Sequence, residues 1–263
     1  MPLADEAPGE PDTADQRGHG AAPVDLPVGE PTLAGEPAAA ARQRVVAQPL
    51  SLPYRLTFKV LEVLFEHYFK AEVSGRENLP PPGVPTLLVP NHTSAIDVPA
   101  SGYALRRPGS FVAKAEATRL PLVGPYLKAV GAIPANRDQQ DTEALRRAMN
   151  VLKSGGLMGI APEGTRSPDG SLGPYDPGFV WLALRTGAVV VPMAIHGTHE
   201  LMPKSSKIPR RGTVRIRFGE PISFADEGRR ASRDRLQELA DEVRARTVAM
   251  LADLAAESAA SDA

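Results

Sequence analysis

Thr86-Leu87-Leu88-Val89 runs directly into Pro90-Asn91-His92-Thr93-Ser94-Ala95-Ile96-Asp97-Val98-Pro99. The apolar run reads as a strand, and the residues from Asp97 onward can turn helical. In open α/β sheets, ligands gather outside the carboxyl ends of the strands. His92 sits at such an end, with Asp97 five residues on. An imidazole there can take a proton from a hydroxyl, provided a carboxylate holds the ring in the right tautomer. The pair brings no nucleophile of its own, so the attacking hydroxyl would belong to the substrate. Read alone, the segment is a weak pattern, and a loop histidine beside a helix-capping acid is the plainer reading.

Outward from this segment the pattern alternates. Before it lie a short strand at 71–75 and a Pro-rich linker at 80–85. After it come a helix near 97–106, a strand at 110–114, a helix near 121–130 and the apolar Ala132-Ile133-Pro134. A helix at 141–154 follows, with apolar positions 145, 148, 149 and 152 at helical spacing. A strand at 157–161, a helix at 178–186, strands at 188–195 and 213–218 and a long helix at 232–256 complete the series. This alternation predicts an α/β fold, a single layered domain with a mostly parallel central sheet flanked by helices.

An amphipathic helix at 54–70 opens the domain. Its charged residues at 55, 59, 62, 66 and 70 draw one narrow polar stripe, and the broad remainder includes Phe58, Phe65, Tyr68 and Phe69. That broad face suits either a protein core or the interface of a bilayer. At about 25 Å with five charges, the helix would lie flat on a membrane rather than span it.

Composition sets the outer limits. The first 50 residues carry 8 acids against 3 bases, so of the totals of 31 and 30 the remainder holds 23 and 27. That first stretch is rich in Pro, Ala and Gly and has no aromatic residue, so residues 1–48 are expected to form a disordered tail. It has no positive segment followed by an apolar core, as a signal peptide would. The domain is then 49–263. Cysteine is absent, which removes disulfides and thiolate chemistry and suits a cytosolic setting.

Two further strand ends carry charged chemistry. Pro162-Glu163-Gly164-Thr165-Arg166-Ser167 follows the strand at 157–161. Gly164 permits a tight turn, and Arg166 can grip a phosphate through paired donors. A surface turn with an internal Glu-Arg pair is the plainer alternative. Arg137 ends Gly131-Ala132-Ile133-Pro134-Ala135-Asn136-Arg137 and by itself reads as an ordinary surface arginine.

Taken in order, His92-x4-Asp97, Gly131 through Arg137, Glu163-Gly164-Thr165-Arg166 and Val190-Val191-Pro192-Met193-Ala194-Ile195 resemble the four blocks of the glycerolipid acyltransferases, of the 1-acylglycerol-3-phosphate acyltransferase type. The resemblance covers about residues 55–225, including a closing Phe218-Gly219-Glu220-Pro221-Ile222. It implies transfer of a fatty acyl group from acyl-CoA or acyl carrier protein, as a co-substrate thioester rather than a cofactor, to a lysolipid hydroxyl, with phosphatidic acid as product. It implies His92 as general base and Asp97 as its orienter. Arg137, Glu163 and Arg166 would bind the acceptor's phosphate and glycerol, Gly164 and Thr165 would shape the turn, and Pro192 would help form the acyl pocket. The resemblance leaves two alternatives: another acceptor, such as glycerol 3-phosphate or a different lysolipid, or a catalytically silent lipid-binding scaffold of the same fold.

The chain departs from the family at Ala161, where an aromatic residue is common, at Pro90, and at Tyr175-Asp176-Pro177, where lysines usually precede the glycine of the next helix. Ser94 is a conceivable nucleophile but fits better as a turn cap. His196-Gly197-Thr198-His199 pairs two histidines with no evident third ligand, so no metal site is assigned. Lys204, Lys207, Arg210, Arg211, Arg215 and Arg217 form a basic run without an intervening acid. The run is either a solvated loop or a patch for an anionic membrane surface, and its lack of aromatic residues disfavours nucleic acid. A peripheral protein on the cytoplasmic face of the membrane is the expected setting.

Overall fold

The computed structural model describes residues 52–262, apart from positions 120, 122–123, 125–126, 128–130, 136–140, 207 and 228–229. The tail expected at 1–48 and most of the helix expected near 121–130 lie outside the described residues. The described chain begins with α1 (Leu52–Val63), which continues as a π-helical turn over Leu64–Tyr68. The strands are β1 (Glu72–Ser74), β2 (Thr86–Pro90), β3 (Ser110–Lys114), β4 (Ala132–Ala135), β5 (Leu157–Gly159), β6 (Val189–His196) and β7 (Arg215–Phe218). The further helices are α2 (Asp97–Leu105), α3 (Thr142–Lys153), α4 (Gly178–Thr186), α5 (Thr198–Leu201) and α6 (Arg233–Asp262).

These strands form one seven-stranded sheet in the order β1-β7-β6-β2-β5-β3-β4. Every neighbouring pair is parallel except β6 and β7, where Met193 faces Phe218 and His196 faces Arg215. The expected mostly parallel sheet is therefore present, with an antiparallel pair toward one side. Pro192 lies in β6 opposite Val89 and one residue beyond the last β6–β7 register pair. A proline cannot donate to a ladder, and here its carbonyl alone serves, accepting from Gly219 N at 2.8 Å.

Side chains alternate across a strand, and β2 uses the alternation to feed two cores. Leu87 and Val89 join a cluster with Ala148 and Leu152 of α3, Phe179 and Leu182 of α4, and Leu239 and Val243 of α6. Leu88 points the other way, into a cluster with Leu61, Phe65, Ala100 and Tyr103 from α1, its π-helical turn and α2. Buried on both faces, β2 must read as a continuous apolar run, which is why its polar successor at 91–97 marks the strand end so clearly.

The first helix divides its broad apolar face. Leu61, Phe65 and Phe69 are buried, and Phe65 stacks on Tyr103 with ring centroids 5.2 Å apart. Leu52, Leu56, Val60 and Val63 stay exposed, Leu56 at 66%. The five-residue π-helical turn, closed by Phe69 N to Leu64 O at 3.1 Å, places Phe65 and Phe69 together on the core. At the other end, α6 runs to Asp262 rather than stopping at 256, because no glycine or proline interrupts the Ala- and Glu-rich sequence.

The division of α1 has a stability signature. Phe65→Ala should cost about 3–5 kcal/mol, as a buried aromatic leaves a cavity. Val60→Ala should stay within about 0.5 kcal/mol, as expected for an exposed site. Urea unfolding of the two variants measures both, and equal losses would mean that Val60 is also core.

Candidate active site

His92 and Asp97 meet where β2 gives way to α2. His92 Nδ1 lies 3.0 Å from Asp97 Oδ2. The same oxygen accepts the backbone N–H groups of Thr93 and Ser94, each at 2.7 Å. The chain turns tightly from 92 to 97, so the first residue of α2 reaches back over the turn that precedes it. Asp97 is buried at 2% exposure, while the His92 side chain keeps 16%. With Nδ1–H directed at the carboxylate, the neutral ring carries its lone pair on Nε2, which has no partner among the described residues.

The turn after β5 clasps the His92 backbone from both sides. His92 N donates to Glu163 Oε1 at 2.7 Å, and Ser167 N donates to His92 O at 2.9 Å. Gly164 makes the turn possible at φ +68, a conformation that L side chains rarely adopt. Arg166 thus lies between two residues that hold His92, half-buried, with no ion pair or hydrogen bond among the described residues. The plainer alternative, an internal Glu163–Arg166 pair, is not what forms. Thr165 and Gly164 are exposed at the tip. Arg137 lies outside the described residues, just past β4.

Glu163 has a structural duty that sequence alone did not reveal. Its second oxygen, Oε2, accepts Gly173 N at 2.9 Å. The loop bearing Gly173 is held in turn by Arg244 of α6, whose Nε donates to Gly173 O at 2.7 Å and whose guanidinium also reaches Leu172 O at 2.9 Å. The long C-terminal helix therefore braces the site through a relay of backbone groups. Asp169 closes the intervening turn by accepting from Ser171 and Ser167, donors that hold its carboxyl down at about 2.

Other residues join the site from a distance. Asn91 is buried and bonds Ile195 twice, donating to its carbonyl at 3.0 Å and accepting its N–H at 2.8 Å, which locks the end of β2 to β6. Thr198 donates to Asp97 Oδ1 at 2.6 Å from the start of α5. Gly197 makes that approach possible at φ +90, where a Cβ would stand 2.4 Å from Thr213 O. The only sequence signal for Thr198 was its Gly-Thr turn. Ser94 is a cap: its hydroxyl donates to Met202 O at 2.7 Å and accepts Ile96 N at 3.3 Å. Asp176, the acid at the departure before Gly178, accepts Gly178 N at 2.7 Å and so shapes the entry to α4.

The basic run is narrower in space than in sequence. Arg215 is buried against Glu72 at 2.8 Å, and Arg217 pairs with Glu257 at 2.6 Å and Asp253 at 3.6 Å. Cross-strand and helix acids neutralise both, which linear reading could not register. Lys204, Arg210 and Arg211 remain on the loop before β7, with the exposed Ile208 among them. Tyr68 ties this loop to the first helical segment through its hydroxyl to Pro209 O at 2.9 Å.

A histidine oriented by a buried carboxylate thus stands beside a turn whose arginine has no ion pair or hydrogen bond among the described residues. Residues 70–196 match the acyltransferase family model. The chain is similar to proteins named 1-acyl-sn-glycerol-3-phosphate acyltransferases. The chloroplastic 1-acyl-sn-glycerol-3-phosphate acyltransferase of Brassica napus is 35% identical over 161 residues, 59% of this chain and 46% of that protein. The 1-acyl-sn-glycerol-3-phosphate acyltransferase of Bacillus subtilis is 28% identical over 70% of this chain and 89% of its own length. The crystal structure of the 1-acyl-sn-glycerophosphate acyltransferase PlsC from Thermotoga maritima superposes with a TM-score of 0.66 at 27% identity, covering 83% of this chain and 88% of that one. The match to the plant relatives spans less than half of their length.

Burial raises the Glu163 carboxyl above its ordinary 4.5, against the opposing pull of the Gly173 and His92 N–H groups. A raised acid holds its proton more tightly folded than unfolded. Its contribution to stability is therefore full below pH 4.5 and lost as pH rises through the folded value. Glu163→Gln removes this titration. The stability of that variant relative to wild type should rise with pH from 4.5 upward and then level off, as read by urea unfolding across a pH series. A pH-independent difference would mean that the carboxyl is as hydrated folded as unfolded.

Proposed function

We propose that this protein transfers a fatty acyl group from an acyl-CoA or acyl carrier protein thioester to the free hydroxyl of 1-acylglycerol 3-phosphate, giving phosphatidic acid. The observation that carries the reading is the His92–Asp97 contact at 3.0 Å, with the His92 backbone held by the turn that bears Arg166. The names of the relatives supply the acceptor class.

In this mechanism His92 Nε2 takes the proton of the acceptor hydroxyl as its oxygen attacks the thioester carbonyl. Asp97 stabilises the imidazolium that forms. Collapse of the tetrahedral intermediate breaks the C–S bond, and the imidazolium returns its proton to the departing thiolate. The thioester is already activated, so no enzyme nucleophile is needed. A placed base contributes about 10²–10⁴-fold. Arg166, joined by Arg137, grips the acceptor's phosphate, and binding there fixes the hydroxyl beside His92.

The protein works as a peripheral enzyme on the negatively charged cytoplasmic leaflet. No helix among the described residues is long and apolar enough to cross a membrane. Support for surface attachment comes from the exposed Leu52, Leu56, Val60 and Val63 of α1. Leu56, Val60 and Val63 line a groove of about 560 Å³ that Lys59, His67 and Arg211 border with polar groups. That combination suits acyl chains below and anionic head groups above.

Purified full-length protein, 1-acylglycerol 3-phosphate and labelled acyl-CoA or acyl carrier protein donors test the chemistry. His92→Ala should lower turnover by roughly 10²–10⁴ while leaving the fold intact. Arg166→Ala should raise the acceptor KM by roughly 10–100-fold, the loss of a charge-assisted contact. Near-normal turnover in His92→Ala would overturn the assigned base, and no transfer by wild type with any donor would leave a scaffold. For the membrane, Leu56→Glu combined with Val60→Glu should abolish flotation with vesicles containing anionic lipid. Unchanged flotation would remove α1 as the attachment face.

A further inference from the structure

We infer that Thr198 is a positioning residue of the reaction, acting on His92 through Asp97. The inference rests on the reading of His92 as general base and adds to it a third residue, 101 positions beyond Asp97 in the chain.

The division of donors around Asp97 carries the argument. Oδ2 takes three: His92 Nδ1, Thr93 N and Ser94 N, all from the same short turn. Oδ1 has one partner among the described residues, the Thr198 hydroxyl at 2.6 Å. At 2% exposure the carboxylate has almost no access to water that might replace it. A buried charged group left without its donor bears the full desolvation penalty, which either raises its affinity for a proton or turns it toward another donor. Both responses spoil the geometry at Oδ2, where His92 is held.

Thr198 is suited to this task. It is buried at 1% exposure, and Thr93 Oγ1 lies 3.2 Å from its oxygen. Thr198 has a single hydroxyl proton and gives it to Asp97, so Thr93 is the donor in the second contact. Thr93 to Thr198 to Asp97 is then a directed chain in which each bond strengthens the next. Backbone geometry delivers the hydroxyl from β6, because the left-handed Gly197 turns the chain where any side chain would collide with Thr213 O. The connections that follow β2 and β6 thus converge on one carboxylate.

The test compares Thr198→Val, which keeps the shape and removes the hydroxyl, with Thr198→Ser, which keeps the hydroxyl and removes the methyl. Full-length protein is assayed with 1-acylglycerol 3-phosphate and acyl-CoA. Thr198→Val should lower kcat by roughly ten-fold or more with the acceptor KM within about two-fold, while Thr198→Ser recovers most of kcat. A Val variant within two-fold of wild type, or a Ser variant as impaired as Val, overturns the inference. If the Val variant does not fold, Thr198→Cys takes its place. Cys matches Ser in size with a weaker donor, so a Cys variant equal to Ser also overturns it. The low-field Nδ1 proton resonance of His92, assigned by its loss in His92→Ala, gives a readout independent of turnover. It should persist in Thr198→Ser and vanish or move upfield in Thr198→Val. If wild type transfers no acyl group but the resonance behaves this way, the proposed function fails and the positioning role stands. An unchanged resonance in Thr198→Val sinks the role whatever the activity.

Discussion

A negative charge has been taken out of water at Asp97 and surrounded by donors from two distant parts of the chain. That constraint governs the site. Burying a carboxylate costs several kcal/mol unless hydrogen bonds replace its hydration. Here the replacement requires the backbone of 93–94 to curl inward, His92 to turn its Nδ1 toward the acid, and Thr198 to arrive from the far end of β6. Each requirement fixes a piece of local geometry. Together they leave Nε2 as the nitrogen of the His92 ring without a protein partner among the described residues.

The sheet supplies the rigidity this arrangement needs. Because β2 is paired on both edges and packed on both faces, its last residues cannot drift, and Asn91 extends the β2–β6 pairing by bonding both backbone groups of Ile195. From the other neighbour, β5, the turn at 162–167 grips His92 by its N–H and its carbonyl. Glu163 connects that grip to Gly173, and Arg244 connects Gly173 to the long C-terminal helix. The loop that carries His92 and Asp97 is short, and its supports reach across most of the domain. A site built this way loses little entropy on binding because it is ordered beforehand.

The surface around the site follows a different logic. The π-helical turn that continues α1 packs Phe65, and Phe69 just after it, against α2, while α1 leaves Leu56 and Val60 outside. The loop with Ile208, Arg210 and Arg211 lies against the same segment through Tyr68 and Pro209. Its base is tied to the 92–97 turn through Ser94 and Met202. Apolar side chains, cations and the mouth of the site thus belong to neighbouring stretches of one fold.

Much of this was legible in the linear chain. The alternation of apolar runs with helical periods predicted the layered, mostly parallel sheet, because hydrophobic period reports directly which face of each element is buried. His92, Asp97 and the Glu163–Arg166 turn stood out because each ends an apolar strand, and strand ends are where such sheets place their chemistry. What could not be read were the pairings between residues far apart in sequence. Arg215 and Arg217 looked like part of an open basic patch until Glu72, Asp253 and Glu257 were seen beside them. The broad face of the first helix was largely apolar, and only a π-helical turn decided which part of it enters the core. Glu163 carried the marks of a substrate ligand, yet its bonds to two backbone N–H groups arise from a loop ten residues on and a strand end seventy-one residues back. Sequence determined which elements form and where the reactive groups sit on them, since both follow from local periodicity and residue chemistry. The tertiary structure alone decided which hydrogen bonds satisfy the buried charges, since a donor's value depends on where the chain's crossovers bring it.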